Sequence, residues 1–139
     1  MTSTPTPGKV VIVDASDGYR RTLEGLVDDL DTGGILAART PNEVLAALVA
    51  APPLLCGLVS MDLEDDGGRR AAESLWLMAP KTPVLFFTGR SGLEFDETTF
   101  PAPVALLTKP LRSWDLRATL ARLRRRPPRA PAPELPFDL

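Results

Sequence analysis

The sequence predicts an α/β fold, a three-layer doubly wound sandwich in which helices cover both faces of a five-stranded parallel sheet. Short apolar runs alternate along the chain with segments whose apolar residues recur at helical spacing, a pattern typical of βαβ units. Polar or charged residues directly follow most of these runs. The length of 139 residues, with 44% hydrophobic and 24% charged residues, fits a single globular domain.

The first half of the chain predicts two strand–helix units. Residues 9–13 and 35–38 are the strands, and Ser16 or Asp17 is the expected N-cap of the first helix. Residues 40–43 (TPNE) combine a threonine cap, a proline at the first helical position and a capping-box glutamate. We expect the apolar face of each helix to be buried: Tyr19, Leu23, Leu26, Val27 and Leu30 in the first, and Val44, Leu45, Leu48 and Val49 in the second.

The second half predicts three more strands, at residues 54–59, 83–87 and 104–107. A third helix is expected from about Arg69 to Met78, with Ala72, Leu75 and either Met78 or Ala79 facing the core. Residues 89–100 contain two glycines and two threonines, so the fourth helix should be short or irregular. Ser113 is the expected cap of the last helix.

The ends of the chain differ in composition from this central domain, which we place at residues 9–124. Residues 1–8 are polar and rich in proline, and residues 125–139 contain further prolines, so both segments are expected to be disordered. The sequence has neither a secretory signal pattern nor an apolar run of about 18 residues that could span a membrane. We therefore expect a cytoplasmic protein without membrane contact.

The composition restricts the chemistry. The chain has no histidine and one cysteine, which excludes an internal Ser-His-Asp or Cys-His unit, a histidine metal site and an internal disulfide. Any bound metal must then be a hard cation held by oxygen. The net charge of −2 argues against a general nucleic-acid binder. Cys56 lies within the third strand and is expected to be a small buried apolar residue.

Polar side chains gather where the predicted strands end. Asp14 follows the first strand, Ser60 and then Asp62 follow the third, Thr88 follows the fourth and Lys109 follows the fifth. In doubly wound sheets, ligands bind beyond the carboxyl ends of the strands. Two carboxylates, two hydroxyls and one ammonium group at one edge would suit an oxyanion together with a hard divalent cation.

The segments VVIVDASDGYRRTL, VLFFTG and LLTKPL, together with the end of the third strand, resemble the receiver domain of bacterial response regulators. The resemblance covers residues 8–124 and implies the CheY-like strand order 2-1-3-4-5. It also implies transfer of a phosphoryl group from a histidine kinase to an aspartate, with Mg²⁺ held by nearby acids. In that comparison Thr88 matches the switch hydroxyl, and Lys109 matches the lysine that pairs with the phosphoryl group.

The match is incomplete at two positions. Asp14 fits the first of the paired metal-binding acids, but Ala15 stands in place of the second, so Mg²⁺ binding by Asp14 and Asp62 should be weak. Aligned without gaps, the family motif places Ser60 at the phosphoacceptor position. Asp62 becomes the acceptor only if the loop is shortened by two residues. No other cofactor is expected.

These departures predict an atypical receiver, or pseudo-receiver, that is not an enzyme and signals by binding proteins without aspartyl phosphorylation. The alternative is a phosphorylatable response regulator that uses Asp62 with Mg²⁺. A nucleotide- or flavin-binding protein is disfavoured, because the first strand leads into neither GxGxxG nor a P-loop.

The expected partners are a histidine kinase, a separate output protein or a second copy of the chain, and we expect no DNA-binding output domain. Phe95, Phe100 and Trp114 lie around the predicted fourth helix, fifth strand and last helix. They either mark a partner-binding or dimerisation face there or fill the core.

Overall fold

A computed structural model describes residues 8–30, 32–50 and 53–125, so the expected disorder at residues 1–7 and 126–139 lies outside the described residues. The strands are β1 (Lys9–Val13), β2 (Ile35–Ala38), β3 (Leu54–Ser60), β4 (Val84–Thr88) and β5 (Val104–Thr108). The α-helices are α1 (Asp17–Asp28), α2 (Pro41–Ala47), α3 (Gly67–Met78) and α4 (Ser113–Arg125). All strand pairs are parallel, and the sheet order is β2-β1-β3-β4-β5, which confirms the predicted fold class.

The sheet is buried on both faces because its strands are apolar at most positions, as is typical of parallel strands between helices. Alternate residues of each strand enter different cores: Val11 and Phe86 lie in one, Ile12 and Phe87 in the other. Helices α2 and α3 cover the first face, whereas α1 and α4 cover the second. The result is the predicted three-layer arrangement.

The predicted helix starts of α1 and α2 are confirmed. Ser16 caps α1 by accepting a hydrogen bond from the Tyr19 amide. Thr40 caps α2 by accepting one from the Glu43 amide, and Pro41 occupies the first helical position. At each of these helix starts, one of the four amides that lack an intrahelical partner thus donates to the capping residue.

Two apolar residues of the second helical segment were wrongly assigned to the core. Val44 and Leu48 are buried, but Leu45 is 38% and Val49 79% exposed. Val44 and Leu48 are four residues apart and share one face of the helix. Leu45 and Val49 each lie about 100° further around the helix axis, and α2 ends at Ala47 before Val49 is reached.

The third helix begins at Gly67, earlier than the expected Arg69, and Trp76 takes the inward place that Met78 was predicted to fill. Trp76 is 7% exposed and donates its indole N–H to the Thr82 carbonyl at 2.8 Å, whereas Met78 is 46% exposed. Met78 lies two positions after Trp76, which turns the methionine about 200° away around the helix axis. Ala79, the other expected inward residue, is half-buried.

The segment between β4 and β5 holds only a 3-10 helix, Glu97–Thr99, in place of a fourth α-helix, as its composition predicted. Phe95 and Phe100 stack on one another, and both rings contact Phe86 of the core. Trp114 differs, since it is 67% exposed on α4. Ser113 is the first residue of α4 instead of the residue before it. Within the described ranges, no helix is both long and apolar enough to cross a bilayer.

Candidate functional site

The carboxyl edge of the sheet brings together the polar residues that the sequence placed at the strand ends. Strands β1, β3, β4 and β5 are consecutive neighbours in the sheet, so their ends lie side by side. The Lys109 amide donates to the Thr88 carbonyl at 2.8 Å, joining the ends of β5 and β4. At the other side, Asp14 lies 3.6 Å from the Lys109 ammonium (Oδ2 to Nζ).

Asp14 is a buried carboxylate in which, within the described part of the chain, one oxygen accepts a hydrogen bond and the other does not. The residue is 4% exposed, and its Oδ1 accepts a hydrogen bond from the Ser16 amide at 3.0 Å. Its Oδ2 accepts no hydrogen bond from the described residues and faces Lys109 at ion-pair distance. A buried charge needs such compensation, because burial removes it from water.

Lys109 is positioned by aromatic rings as well as by Asp14. Its Nζ lies 4.3 Å from the centre of the Tyr19 ring and 5.4 Å from that of Phe87, both within cation–π range. The Tyr19 hydroxyl accepts a hydrogen bond from the Leu111 amide at 3.2 Å, which ties α1 to the segment after β5. Burial raises the pKa of Tyr19, against the lowering effect of that bond, so the phenol stays protonated.

Asp62 points its carboxylate at the end of β4. Oδ1 accepts hydrogen bonds from Thr88 Oγ1 at 2.6 Å and from Arg90 Nε at 3.2 Å, and Oδ2 accepts one from the Gly89 amide at 2.7 Å. Burial by itself would raise the pKa of Asp62, but these three bonds and the charge of Lys109 together lower it. The carboxylate is therefore ionised at neutral pH.

Ser60 ends β3 and is 1% exposed. Its Oγ accepts a hydrogen bond from the Asp62 amide at 3.1 Å, so the hydroxyl shapes the turn that delivers Asp62. The next turn uses Asp65 and Asp66 in the left-handed region, with φ of 55° and 58°. Gly68 completes it, because a Cβ there would lie 2.5 Å from the Ser60 carbonyl oxygen.

Sequence reasoning missed three groups at this edge: Tyr19 as a partner of Lys109, and Gly89 and Arg90 as partners of Asp62. Arg90 also donates from Nη2 to the Met61 carbonyl at 3.2 Å, so it bridges the loops after β3 and β4. For Gly89 and Arg90, the run Thr88-Gly89-Arg90 could have indicated this role, because a hydroxyl, an unhindered amide and a guanidinium occur together at one strand end.

The donors present do not fit a Mg²⁺ site. Ala15 offers no side-chain oxygen, both oxygens of Asp62 are engaged, and a cation at the free Oδ2 of Asp14 would sit beside the Lys109 ammonium. Among the described residues, no group of three or more acidic, histidine or cysteine side chains could hold a metal ion. Mg²⁺ prefers several oxygen ligands in a near-octahedral arrangement.

A cleft of about 580 Å³ opens beside Asp62, between the loop after β3 and the start of α2. The residues that line it include Ala15, Asp62, Arg39 and Arg70. Arg39 is paired with Glu43 at 3.4 Å.

Solved structures with the same fold include receiver domains of response regulators and a chemotaxis protein. Vibrio cholerae chemotaxis protein CheY4 is 20% identical, with a TM-score of 0.71 over 85% of this chain and 99% of that chain. The receiver domain of Erythrobacter litoralis PhyR response regulator is 23% identical, with a TM-score of 0.68 over 93% and 98%. A response regulator receiver protein of Sinorhizobium medicae is 16% identical, with a TM-score of 0.69 over 84% and 94%.

No protein-family profile matches the sequence, and no curated protein matches it. The structural likeness therefore shows that the chain has the receiver fold, with the strand order and layer arrangement described above.

Proposed function

We propose that this protein is an atypical receiver of two-component signalling, a cytoplasmic interaction module that binds another signalling protein without aspartyl phosphorylation and without enzymatic activity. The observation that carries the proposal is Ser60 at the end of β3, where the family motif, aligned without gaps, has a carboxylate. Its hydroxyl is buried and already accepts a hydrogen bond from the Asp62 amide.

Ser60 is poorly suited to replace an aspartate as phosphoacceptor. A serine hydroxyl needs a general base to become a good nucleophile, and the chain has no histidine to supply one. The residue is 1% exposed, so a phosphodonor has no direct access to its hydroxyl in this structure. A serine phosphoester also lacks the lability of an acyl phosphate, so it would not give a readily reversible signal.

The second candidate is a phosphorylatable receiver that uses Asp62. One observation favours it: the carboxylate is ionised and touches Thr88, with the charge of Lys109 nearby. Against it, three hydrogen bonds occupy both oxygens, and one of them comes from the Arg90 guanidinium to Oδ1 at 3.2 Å. The missing acid at Ala15 leaves the phosphodonor's charge without the cation that phosphoryl transfer normally uses.

The surface we assign to the partner is formed by β5 and α4. Strand β5 is an edge of the sheet, and Trp114 of α4 is 67% exposed beside it in the layered fold. Exposed tryptophans are frequent anchors of protein interfaces. The partner is an output protein, a kinase or a second copy of this chain.

The two candidates are separated by adding beryllofluoride with Mg²⁺, or acetyl phosphate with Mg²⁺, to the ¹⁵N-labelled protein. We expect no saturable amide shifts at Thr88, Gly89 or Lys109, and no gain of a phosphoryl mass. Shifts at these residues that Asp62→Asn abolishes would establish the second candidate.

A triple variant shows that this experiment can detect a working site. Ala15→Asp with Ser60→Asp restores both carboxylates that the family pattern has and this chain lacks, and Asp62→Ala removes the carboxylate that engages Thr88 and Gly89. We expect this variant, if folded by circular dichroism, to respond to beryllofluoride while the wild type does not. A response of the wild type equal to that of the triple variant would contradict the proposal.

A further inference from the structure

Three consecutive residues at the end of β4 form a set of donors that converge on one point. Thr88 contributes a hydroxyl, Gly89 a backbone amide and Arg90 a guanidinium N–H, at 2.6, 2.7 and 3.2 Å from the Asp62 oxygens. Thr88 is 1% exposed, so its hydroxyl is fixed within the fold. These are the kinds of group that bind oxyanions in proteins.

Lys109 adds positive charge to the same space. A Cβ placed on Gly89 would lie 3.5 Å from Asp62 Oδ2 and 3.8 Å from Lys109 Cδ, so carboxylate and lysine stem border one small volume. The absence of a side chain at Gly89 keeps that volume open to an oxygen atom. The donors at the end of β4 and the stem of Lys109 thus border the Asp62 carboxylate.

The anion in this site belongs to the chain itself. Ser60 Oγ holds the Asp62 amide at 3.1 Å, and Arg90 Nη2 holds the Met61 carbonyl at 3.2 Å, so the backbone before the carboxylate is fixed from two strands. A ligand attached to its own site acts at high effective concentration and excludes free competitors.

We propose that Asp62 is an internal ligand that keeps an oxyanion site of Thr88, Gly89, Arg90 and Lys109 permanently filled. This inference rests on the proposed function and names its regulation. The switch residue Thr88 is held by an anion without any phosphoryl transfer, so the protein stays in one anion-bound state. Removing the carboxylate should uncover a site for a free oxyanion such as inorganic phosphate.

The test is a titration of inorganic phosphate, without Mg²⁺, into ¹⁵N-labelled wild type and Asp62→Ala. We expect saturable shifts of the Thr88 and Gly89 amides in the variant, with an apparent affinity at least about tenfold above the wild type, in which the tethered carboxylate competes. Asp62→Ala combined with Arg90→Ala should lose most of this gain. Asp62→Ala combined with Arg70→Ala is the matched control, because Arg70 lies on the neighbouring cleft, and it should keep the gain.

A second variant tests the same idea should Asp62→Ala fail to fold. Asp62→Asn keeps the size of the side chain but removes its charge, so the Gly89 amide proton should move upfield as its hydrogen bond weakens. A folded Asp62→Ala that binds no phosphate, or a wild type that binds it equally well at Gly89, would overturn the inference, as would an unchanged Gly89 signal in Asp62→Asn.

These outcomes are separate from those for the proposed function. Phosphorylation of wild-type Asp62 by acetyl phosphate would refute phosphorylation-independent signalling but leave phosphate binding by Asp62→Ala unaffected. Failure of phosphate binding would refute the internal ligand but leave Ser60 unable to accept a phosphoryl group.

Discussion

Asp62 and Thr88 show how one rotamer decides the chemistry of a site. The 2.6 Å hydrogen bond between them engages a carboxylate oxygen that would otherwise be open to a phosphodonor or a cation. The sequence placed both residues at one edge of the sheet, because strand ends can be located from apolar runs. It could not give the direction of the carboxylate, which depends on loop contacts such as that between Arg90 and Met61.

The lowered pKa of Asp62 predicts a pH-dependent contribution to stability. Because the pKa is lower in the folded state than its usual value of about 3.9, the unfolded state binds more protons in that range. The contribution is therefore complete above about pH 4 and is lost as the pH falls through the folded pKa. Urea unfolding between pH 3 and 6 should show a smaller loss of stability in Asp62→Asn than in the wild type.

The other carboxylates provide the reference for that comparison. Hydrogen bonding to Arg20 also lowers the pKa of Asp17, and this residue titrates in both proteins alike. The difference between the two pH profiles therefore reports Asp62, and parallel profiles would show that its hydrogen bonds do not stabilise the fold.

Cys56 lies fully buried in β3, and burial raises the pKa of its thiol to about 12. We expect a thiol reagent to leave the native protein unmodified at neutral pH and to react completely after unfolding. Cys56→Ser should lower the free energy of unfolding by about 1–3 kcal/mol, because it buries a hydroxyl in an apolar core. Urea denaturation measures this loss, and rapid labelling of the native thiol would contradict the core assignment.

At the scale of elements, strands were easier to predict than helix faces. The five strands are apolar runs between breakers, and they pair as expected. The buried faces of α2 and α3 were predicted less accurately. Helix α2 is short, and α3 begins two residues before its predicted start. Each residue turns the helix by about 100°, so a small error in position places an apolar side chain on the exposed face. Composition predicted only that the fourth helix would be short or irregular, since glycines and threonines favour no long helix, and the structure has the 3-10 helix Glu97–Thr99 there.

The start of α3 predicts a contrast between two glycines. Gly68→Ala would bring a Cβ within 2.5 Å of the Ser60 carbonyl oxygen and 3.0 Å of Met61 Cα, both backbone atoms. We expect a destabilisation of about 1–3 kcal/mol, measured by urea or thermal unfolding.

Gly25 is the matched control inside α1, where an added Cβ meets nothing within 4 Å. Gly25→Ala should stabilise the protein by about 0.5–1 kcal/mol through helix propensity. Equal effects at the two positions would mean that the loop after β3 adjusts freely to α3.

For the whole molecule, the doubly wound fold places the polar strand ends at the carboxyl edge of the sheet and β5 at its side. The sheet ends with β5, next to the helical layer that carries Trp114. Helices α1 and α4 pack on the same face of the sheet and share one apolar core, which lies between the proposed internal-ligand site and the proposed partner surface.

We expect self-association at high concentration to depend on Trp114. Trp114→Ala should lower the association constant at least about tenfold, as substitution of a hot-spot tryptophan does. Sedimentation equilibrium measures this constant. Leu77→Ala is the control, because Leu77 is 78% exposed but lies on α3, across the sheet. A wild type that stays monomeric would leave an output protein or a kinase as the partner, and equal effects of both variants would remove Trp114 from the interface.

The two tryptophans of the chain also divide its fluorescence into two independent signals. Trp76 is shielded beside Phe100 and reports the integrity of the core, whereas Trp114 is open to aqueous quenchers. Acrylamide quenching should thus have one accessible and one protected fraction. A ligand that protects the accessible fraction without altering the protected one would reveal docking on α4 with no label attached to the protein.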